Sequence, residues 1–169
     1  MSLHRCRVLV PAVLAGWLAA AGLAAAAVFP PPVKDEGKFF SAETLDKVNK
    51  KTRQLYTDFG CDVVVETVPA VPADMEAKYK ELGKDKFFLE WARKRAGELG
   101  INGVYILICK SPGRVEVGLT GPAGKRLFAA GDRERIVNKM LGPFRDKKFD
   151  EGLTAALEFI QSTLKAGAK

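Results

Sequence analysis

Two short apolar runs separated by a helical stretch constrain this chain more than any other feature. Cys61-Asp62-Val63-Val64-Val65-Glu66-Thr67-Val68 is rich in β-branched residues and bounded by Gly60 and Pro69, and Gly103-Val104-Tyr105-Ile106-Leu107-Ile108-Cys109 is nearly continuous in apolar side chains. Runs this short, stopped by turn residues, read as strands covered on both faces. Between them Phe87, Phe88, Trp91, Ala92 and Leu99 set a helical stripe ending at Gly97 or Gly100, after a shorter helix that Asp74 caps and that extends through Leu82. Strand, helix and strand make a βαβ unit, so the two strands should be parallel with a right-handed crossover. The aromatic residues of the stripe read as core.

The flanking segments add helices and one more strand. Ser111-Pro112-Gly113-Arg114 has turn chemistry and leads to Val115-Glu116-Val117-Gly118-Leu119, where Val115, Val117 and Leu119 alternate onto one face, as in a hairpin. Ser41 to Phe59 starts at a capping serine and stops at Gly60, with Leu45, Val48, Leu55 and Tyr56 on one side. Asp132 caps a helix carrying Ile136, Val137, Met140 and Leu141, halted by Gly142-Pro143. The last helix shows the cleanest stripe: Leu153, Ala156, Leu157, Ile160 and Leu164. Thr120 to Gly131 is a connection punctuated by glycine and proline, with room for a short element around Leu127 and Phe128. With no repeat and no internal linker, the pattern is one α/β domain over residues 41–166, preceded by a Pro-rich extended lead at 28–40.

Residues 1–27 read as an export signal. Arg5 and Arg7 precede 20 uncharged residues, Val8 to Ala27, whose Leu/Val part comes first and whose Ala-rich part comes last, and Ala25 and Ala27 suit an A-x-A cleavage rule. A run of that length also reaches across a bilayer core of roughly 30 Å, so an uncleaved anchor is the competing reading. Either way the expected location is outside the cytoplasm: periplasmic, lumenal or extracellular. The sole histidine, His4, and one of three cysteines, Cys6, fall inside this segment. The domain itself therefore has no imidazole, which excludes Ser-His-Asp and Cys-His nucleophile pairs and zinc sites built on histidine. Losing Arg5 and Arg7 reduces the net charge from +7 to +5.

Motifs that suggest phosphate chemistry fail on inspection. Gly121-Pro122-Ala123-Gly124-Lys125-Arg126 lacks the first glycine of a phosphate-cradling loop, since Leu119 stands there, and has Arg126 where a metal-binding Ser or Thr is needed. Cys109 and Arg114 are one residue too close for a cysteine phosphatase loop. Cys61 and Cys109 fall at opposite ends of adjacent parallel strands, too far apart for a disulfide, and read as small buried hydrophobes. Basic residues at Lys47/Lys50/Lys51/Arg53, Arg93-Lys94-Arg95, Arg133/Arg135/Lys139 and Arg145/Lys147/Lys148 alternate with acids, as on solvated helix faces. If one of these forms a docking patch, an exported protein would use it for an anionic lipid surface or an acidic protein rather than nucleic acid.

Among the carboxylates, Asp35, Glu116, Asp132 and Asp150 are the group that could converge, and hard cations such as Ca²⁺ or Mg²⁺ need several such oxygens. Taken singly, Asp132 and Asp150 suit helix N-termini, where negative charge offsets the dipole.

The order of these pieces resembles the TPM-domain family, which includes thylakoid-lumen proteins associated with photosystem II repair and many exported bacterial proteins. The resemblance spans Val33 to about Ile160. It is carried by Asp35 ahead of a helix, Gly60 before Val63-Val64-Val65-Glu66-Thr67-Val68, Trp91, Asn102-Gly103-Val104-Tyr105-Ile106-Leu107-Ile108, Arg114-Val115-Glu116-Val117-Gly118, Pro143-Phe144, and Phe149-Asp150-Glu151-Gly152-Leu153. It implies a three-layer α/β sandwich, a mixed twisted sheet with helices on both faces, exported or lumenal. Some members are acid phosphatases or bind Ca²⁺ or Mg²⁺, and others serve membrane complexes as accessory proteins. Asp35, Asn102 and Glu116 match the family pattern, but Ile101 stands where the family commonly has an aspartate before Asn-Gly. Losing that carboxylate weakens an inherited metal site. The expectation is a monomeric binding or accessory module at a membrane-associated complex or anionic surface, without a cofactor. The alternative is a divalent-metal-dependent acid phosphatase using Asp35, Asn102, Glu116 and Asp132.

Overall fold

The computed structural model describes residues 29–167; the export-signal reading of residues 1–27 lies outside them. The sheet order is β1-β2-β3-β4, with β1 Lys34–Asp35, β2 Asp62–Ala70, β3 Gly103–Ser111 and β4 Arg114–Leu119. The two apolar runs lie side by side and parallel, Val64 opposite Tyr105 and Thr67 opposite Ile108. The hairpin brings β4 antiparallel to β3, with Leu107 opposite Glu116.

Alternation along these strands sends side chains into two separate cores. Val63, Val65, Val104, Ile106, Ile108, Val115 and Val117 face one side, against α1 (Ala42–Phe59), α3 (Gly121–Leu127), α4 (Asp132–Arg145) and α5 (Phe149–Gly167). Val64, Tyr105, Leu107 and Cys109 face the other, against Phe87, Phe88, Ala92 and Ala96 of α2 (Glu76–Glu98). The protein is thus a mixed sheet between helical layers. The α5 stripe is buried along its whole length, Leu153, Ile160 and Leu164 being fully enclosed. Each such side chain contributes about 1.5–3 kcal/mol of burial.

Helix α1 begins and ends as its sequence directs. Ser41 accepts from the Thr44 amide, and Gly60, left-handed at φ 61°, donates back to the Tyr56 carbonyl.

Local departures from the sequence reading have physical causes. The Pro-rich lead supplies β1, whose Lys34 and Asp35 pair with Glu66 and Thr67. β2 continues past Pro69, and its ladder to β3 skips that residue and resumes at Ala70 and Ser111. Asp74 does not cap a helix; it lies in a 3₁₀ turn, Ala73–Met75, that runs into α2, and the break between two helical pieces falls at Gly83, φ 72°. Residues Gly121–Leu127 are helical, with Pro122 in the first turn. Helix α4 does not stop at Gly142-Pro143 but reaches Arg145. The proline sits in its last turn, where one ladder bond is lost, while Phe144 packs against the core. Gly131 is the cap of α4, and Asp132 is its first helical residue.

Candidate functional site

The four sequence-nominated residues are held apart. Asp35 ends β1 and points to the same side as Thr67, whose hydroxyl donates to it at 2.6 Å; its carboxylate also accepts from the amides of Phe39 (3.1 Å) and Phe40 (3.0 Å). It therefore closes the turn between β1 and α1. Glu116 lies three strands away, on the order of 14 Å at ~4.8 Å per strand, and on the opposite face, opposite Leu107.

Asn102 precedes β3, about six residues or roughly 20 Å along the strand from the row of Asp35. Its Oδ1 accepts from the Ala123 amide at 2.8 Å, capping α3 from a distance, since Thr120 at the cap position makes no such side-chain bond. Asp132 is buried and accepts from the Ala129 amide at 2.7 Å while pairing with Arg135 at 3.2 Å. Asp150 accepts from the Ser41 amide at 3.0 Å, tying α5 to the start of α1.

The acceptor oxygens of Asp35, Asn102, Glu116 and Asp132 are thus committed to local donors in separate places, so these residues do not assemble one cage for a hard cation. Among the described residues no group of three or more His, Cys, Asp or Glu is placed to hold a metal.

What the sequence pattern did not reveal is a cation-lined cleft along the free edge of β4. Glu116 is 1% exposed and is held by two guanidinium groups, Arg114 at 2.8 Å and Arg133. Arg114 also pairs with Asp85 of α2, while Arg133 donates to the Val117 carbonyl at 2.8 Å and pairs with Glu134 at 3.1 Å. Burial by itself would lower the Arg133 pKa, but the bond and charge of Glu116 outweigh it and hold the guanidinium above its ordinary value. On either side of Arg133 the surface opens into hollows of about 370 and 480 Å³. The first is lined by Lys84, Arg114, Glu116, Arg133 and Glu134, the second by Arg93, Glu116, Lys125 and Arg133. Both carboxylates in these linings are paired with Arg133, which leaves the cleft with a surplus of positive charge.

A second buried carboxylate, Glu66 on β2, accepts both parallel bonds of Arg95, each 2.8 Å, and the Tyr105 hydroxyl at 2.6 Å. Burial would raise its pKa; the Arg95 and Tyr105 bonds overcome this and bring it below the usual value. This cluster pins α2 to the sheet. Cys61 and Cys109 are free and buried. Among the described residues no helix is long and apolar enough to cross a membrane.

The TPM domain family matches residues 33–163. Among solved structures the chain is similar to the solution structure of the N-terminal domain of a protein from P. gingivalis, with a TM-score of 0.64 at 18% identity, covering 79% of this chain and 82% of that one. At that identity the likeness is one of fold. Nothing matches among curated proteins.

Proposed function

We propose that this chain, which belongs to the TPM-domain family, is an exported accessory module that binds an acidic segment of a partner protein at a membrane-associated complex. The observation that carries the reading is the β4-edge cleft, where Lys84, Arg93 and Lys125 surround the buried Glu116 and the two guanidinium groups, Arg114 and Arg133, that hold it. Its form favours an extended peptide over a lipid plane: the lining is recessed between α2 and α4 and follows a strand edge rather than a flat face. Its chemistry favours binding over hydrolysis, because Asp35, Asn102, Glu116 and Asp132 each serve a local bond and, among the described residues, no nucleophile paired with a base lines the cleft. Export rests on the leader alone.

The test is binding of a fluorescent acidic peptide, compared with vesicles containing an anionic lipid, together with turnover of an aryl phosphate in Mg²⁺, Ca²⁺ or chelator. The peptide should bind, weaken steeply with salt, and fail to bind Arg93→Glu/Lys125→Glu. Binding to vesicles alone, or metal-dependent turnover that vanishes in Asp35→Ala, would overturn the reading. Localisation is tested by fractionating cells that express the full chain.

A further inference from the structure

Phe39, from the turn before α1, meets Phe144 and Phe149, from the end of α4 and the start of α5, at the carboxyl end of β3. Phe39 stacks on Phe144 at 6.2 Å between centroids, and Phe149 stands edge-on to both, 5.0 Å from Phe39 and 5.1 Å from Phe144. All three are partly exposed. The backbone around them leaves room for the rings: a Cβ on Gly37 would lie 2.6 Å from the Phe39 ring, and one on Gly152 would lie 2.6 Å from the Phe144 ring. Asp35 fixes the turn that presents Phe39, and Asp150 ties the start of α5 to Ser41. Segments that the sequence reading singled out separately, Asp35, Pro143-Phe144 and Phe149 to Gly152, therefore build one feature.

That feature floors a hollow of about 320 Å³ whose charged lining is entirely cationic: Lys110, Arg114 and Arg145. Arg114 is engaged by Glu116 and Asp85, but Lys110 and Arg145 pair with no carboxylate among the described residues, and Lys110 stands 5.8 Å over the Phe39 ring. An aromatic floor beneath two uncommitted cations calls for a ligand with an apolar body and an anion attached directly to it. The hollow has room for one large side chain together with a carboxylate beside it, and it shares Gly113, Arg114, Val115 and Leu141 with the cleft along β4. Its position also agrees with the general preference of open α/β sheets for ligands at the carboxyl ends of their strands.

We infer that this pocket receives the C-terminal residue of a polypeptide, an aromatic or large apolar side chain resting on Phe39, Phe144 and Phe149 with its free carboxylate between Lys110 and Arg145. The path of the preceding residues along β4 rests on the acidic-partner reading above; the terminal pocket does not.

Binding to the full chain of acetyl-Gly-Gly-Phe with a free carboxylate, of the same peptide as its amide, and of acetyl-phenylalanine tests the assignment. The free-carboxylate peptide should bind, and the amide at least about tenfold more weakly, the effect of removing one charge-assisted hydrogen bond. Lys110→Gln/Arg145→Gln should weaken the acid to the level of the amide while leaving the circular dichroism spectrum unchanged, and added salt should weaken the acid alone. Equal binding of acid and amide, or an unaltered affinity in the double variant, would overturn the pocket. Acetyl-phenylalanine binding as tightly as the peptide acid would overturn the chain-terminus assignment in favour of a free acid. Arg93→Glu/Lys125→Glu should leave the tripeptide unaffected and weaken a longer acidic peptide ending in phenylalanine, so the cleft and the pocket fail separately.

Discussion

Arg133, in the first turn of α4, reaches over the free edge of the sheet to the buried carboxylate of Glu116 on β4. On the way its Nε donates to the Val117 carbonyl at 2.8 Å, so one side chain neutralises a buried charge and covers an unpaired strand acceptor.

Removing Glu116 should therefore cost more than a surface ion pair. Glu116→Ala leaves Arg114 and Arg133 facing each other across the space the carboxylate filled, and breaking a buried pair costs about 3–5 kcal/mol. The guanidinium side chains are 25% and 37% exposed and can turn partly to water, so the lower end, about 3 kcal/mol, is expected. Urea unfolding at neutral pH reads this as a lower midpoint with an unchanged slope. A loss below about 1 kcal/mol, the scale of an exposed pair, would contradict it.

Arg133→Ala should act differently, through the edge. With the Val117 carbonyl uncovered, β4 offers an open acceptor to a second chain. The variant should sediment as a larger species than the parent at equal concentration in sedimentation velocity, and Arg133→Lys, which cannot span both partners, should do so as well. Unchanged sedimentation in both variants would mean that Arg133 is not the edge guard.

The central architecture is legible in the sequence because its signals are local. Val63 to Val65 and Val104 to Ile108 advertise strands through composition, the Pro-Gly turn sets the hairpin, and Leu153 to Leu164 repeat at helical spacing. β1 is not legible: two residues after three prolines carry no period, and only pairing with Glu66 and Thr67 makes them a strand. Helix α4 overruns Pro143 because the packing of Phe144 decides the last turn, not propensity. The roles of the candidate carboxylates depend on long-range partners such as Thr67 for Asp35 and Arg133 for Glu116, which spacing alone does not reveal. Likewise nothing in the sequence places Phe39 against Phe144.

Glu66 predicts a definite pH response. Its carboxyl titrates below its usual value in the folded protein, so the stabilisation it gives is complete above the unfolded value of about 4.3 and is lost as pH falls through the folded value. Glu66→Gln should lower stability by about 1–3 kcal/mol at neutral pH, the cost of a weakened bond to Arg95 and a poorly satisfied Tyr105 hydroxyl. The gap between parent and variant should stay constant from about pH 5 to 8 and close below about pH 4. Chemical denaturation across that range reads it, and a gap that widens on acidification would contradict a carboxyl held below its usual value by Arg95 and Tyr105.

Gly152 tests the aromatic cluster through packing. A Cβ there would lie 2.6 Å from Phe144 Cε1 and 3.0 Å from the Met140 carbonyl, so Gly152→Ala must displace the ring or the helix. Overpacking of this kind costs about 1–3 kcal/mol. Phe144→Leu frees the space and should recover part of that cost, giving a coupling of at least about 0.5 kcal/mol in a double-mutant cycle. Strict additivity would place the strain at Met140 instead.

The two domain cysteines should be silent in the native protein and reactive only on unfolding. Cys61 precedes β2 at its amino end and Cys109 lies near the carboxyl end of β3, paired in register with Val68 rather than with Cys61. A bridge between them would have to span most of the strand length, beyond the ~7 Å limit for a disulfide. Burial, with a smaller contribution from Asp62, pushes the Cys61 thiol up to about 12, and burial also raises that of Cys109. At pH 8 the thiolate of Cys61 is then on the order of one part in ten thousand, besides being shielded from reagent. Labelling of Cys61 and Cys109 with an aromatic disulfide reagent should therefore follow the global unfolding rate, be the same with and without prior reductant, and reach completion in denaturant. Fast labelling of the folded protein would show that one strand end opens locally, and labelling that requires reductant would reveal a disulfide that the strand register forbids.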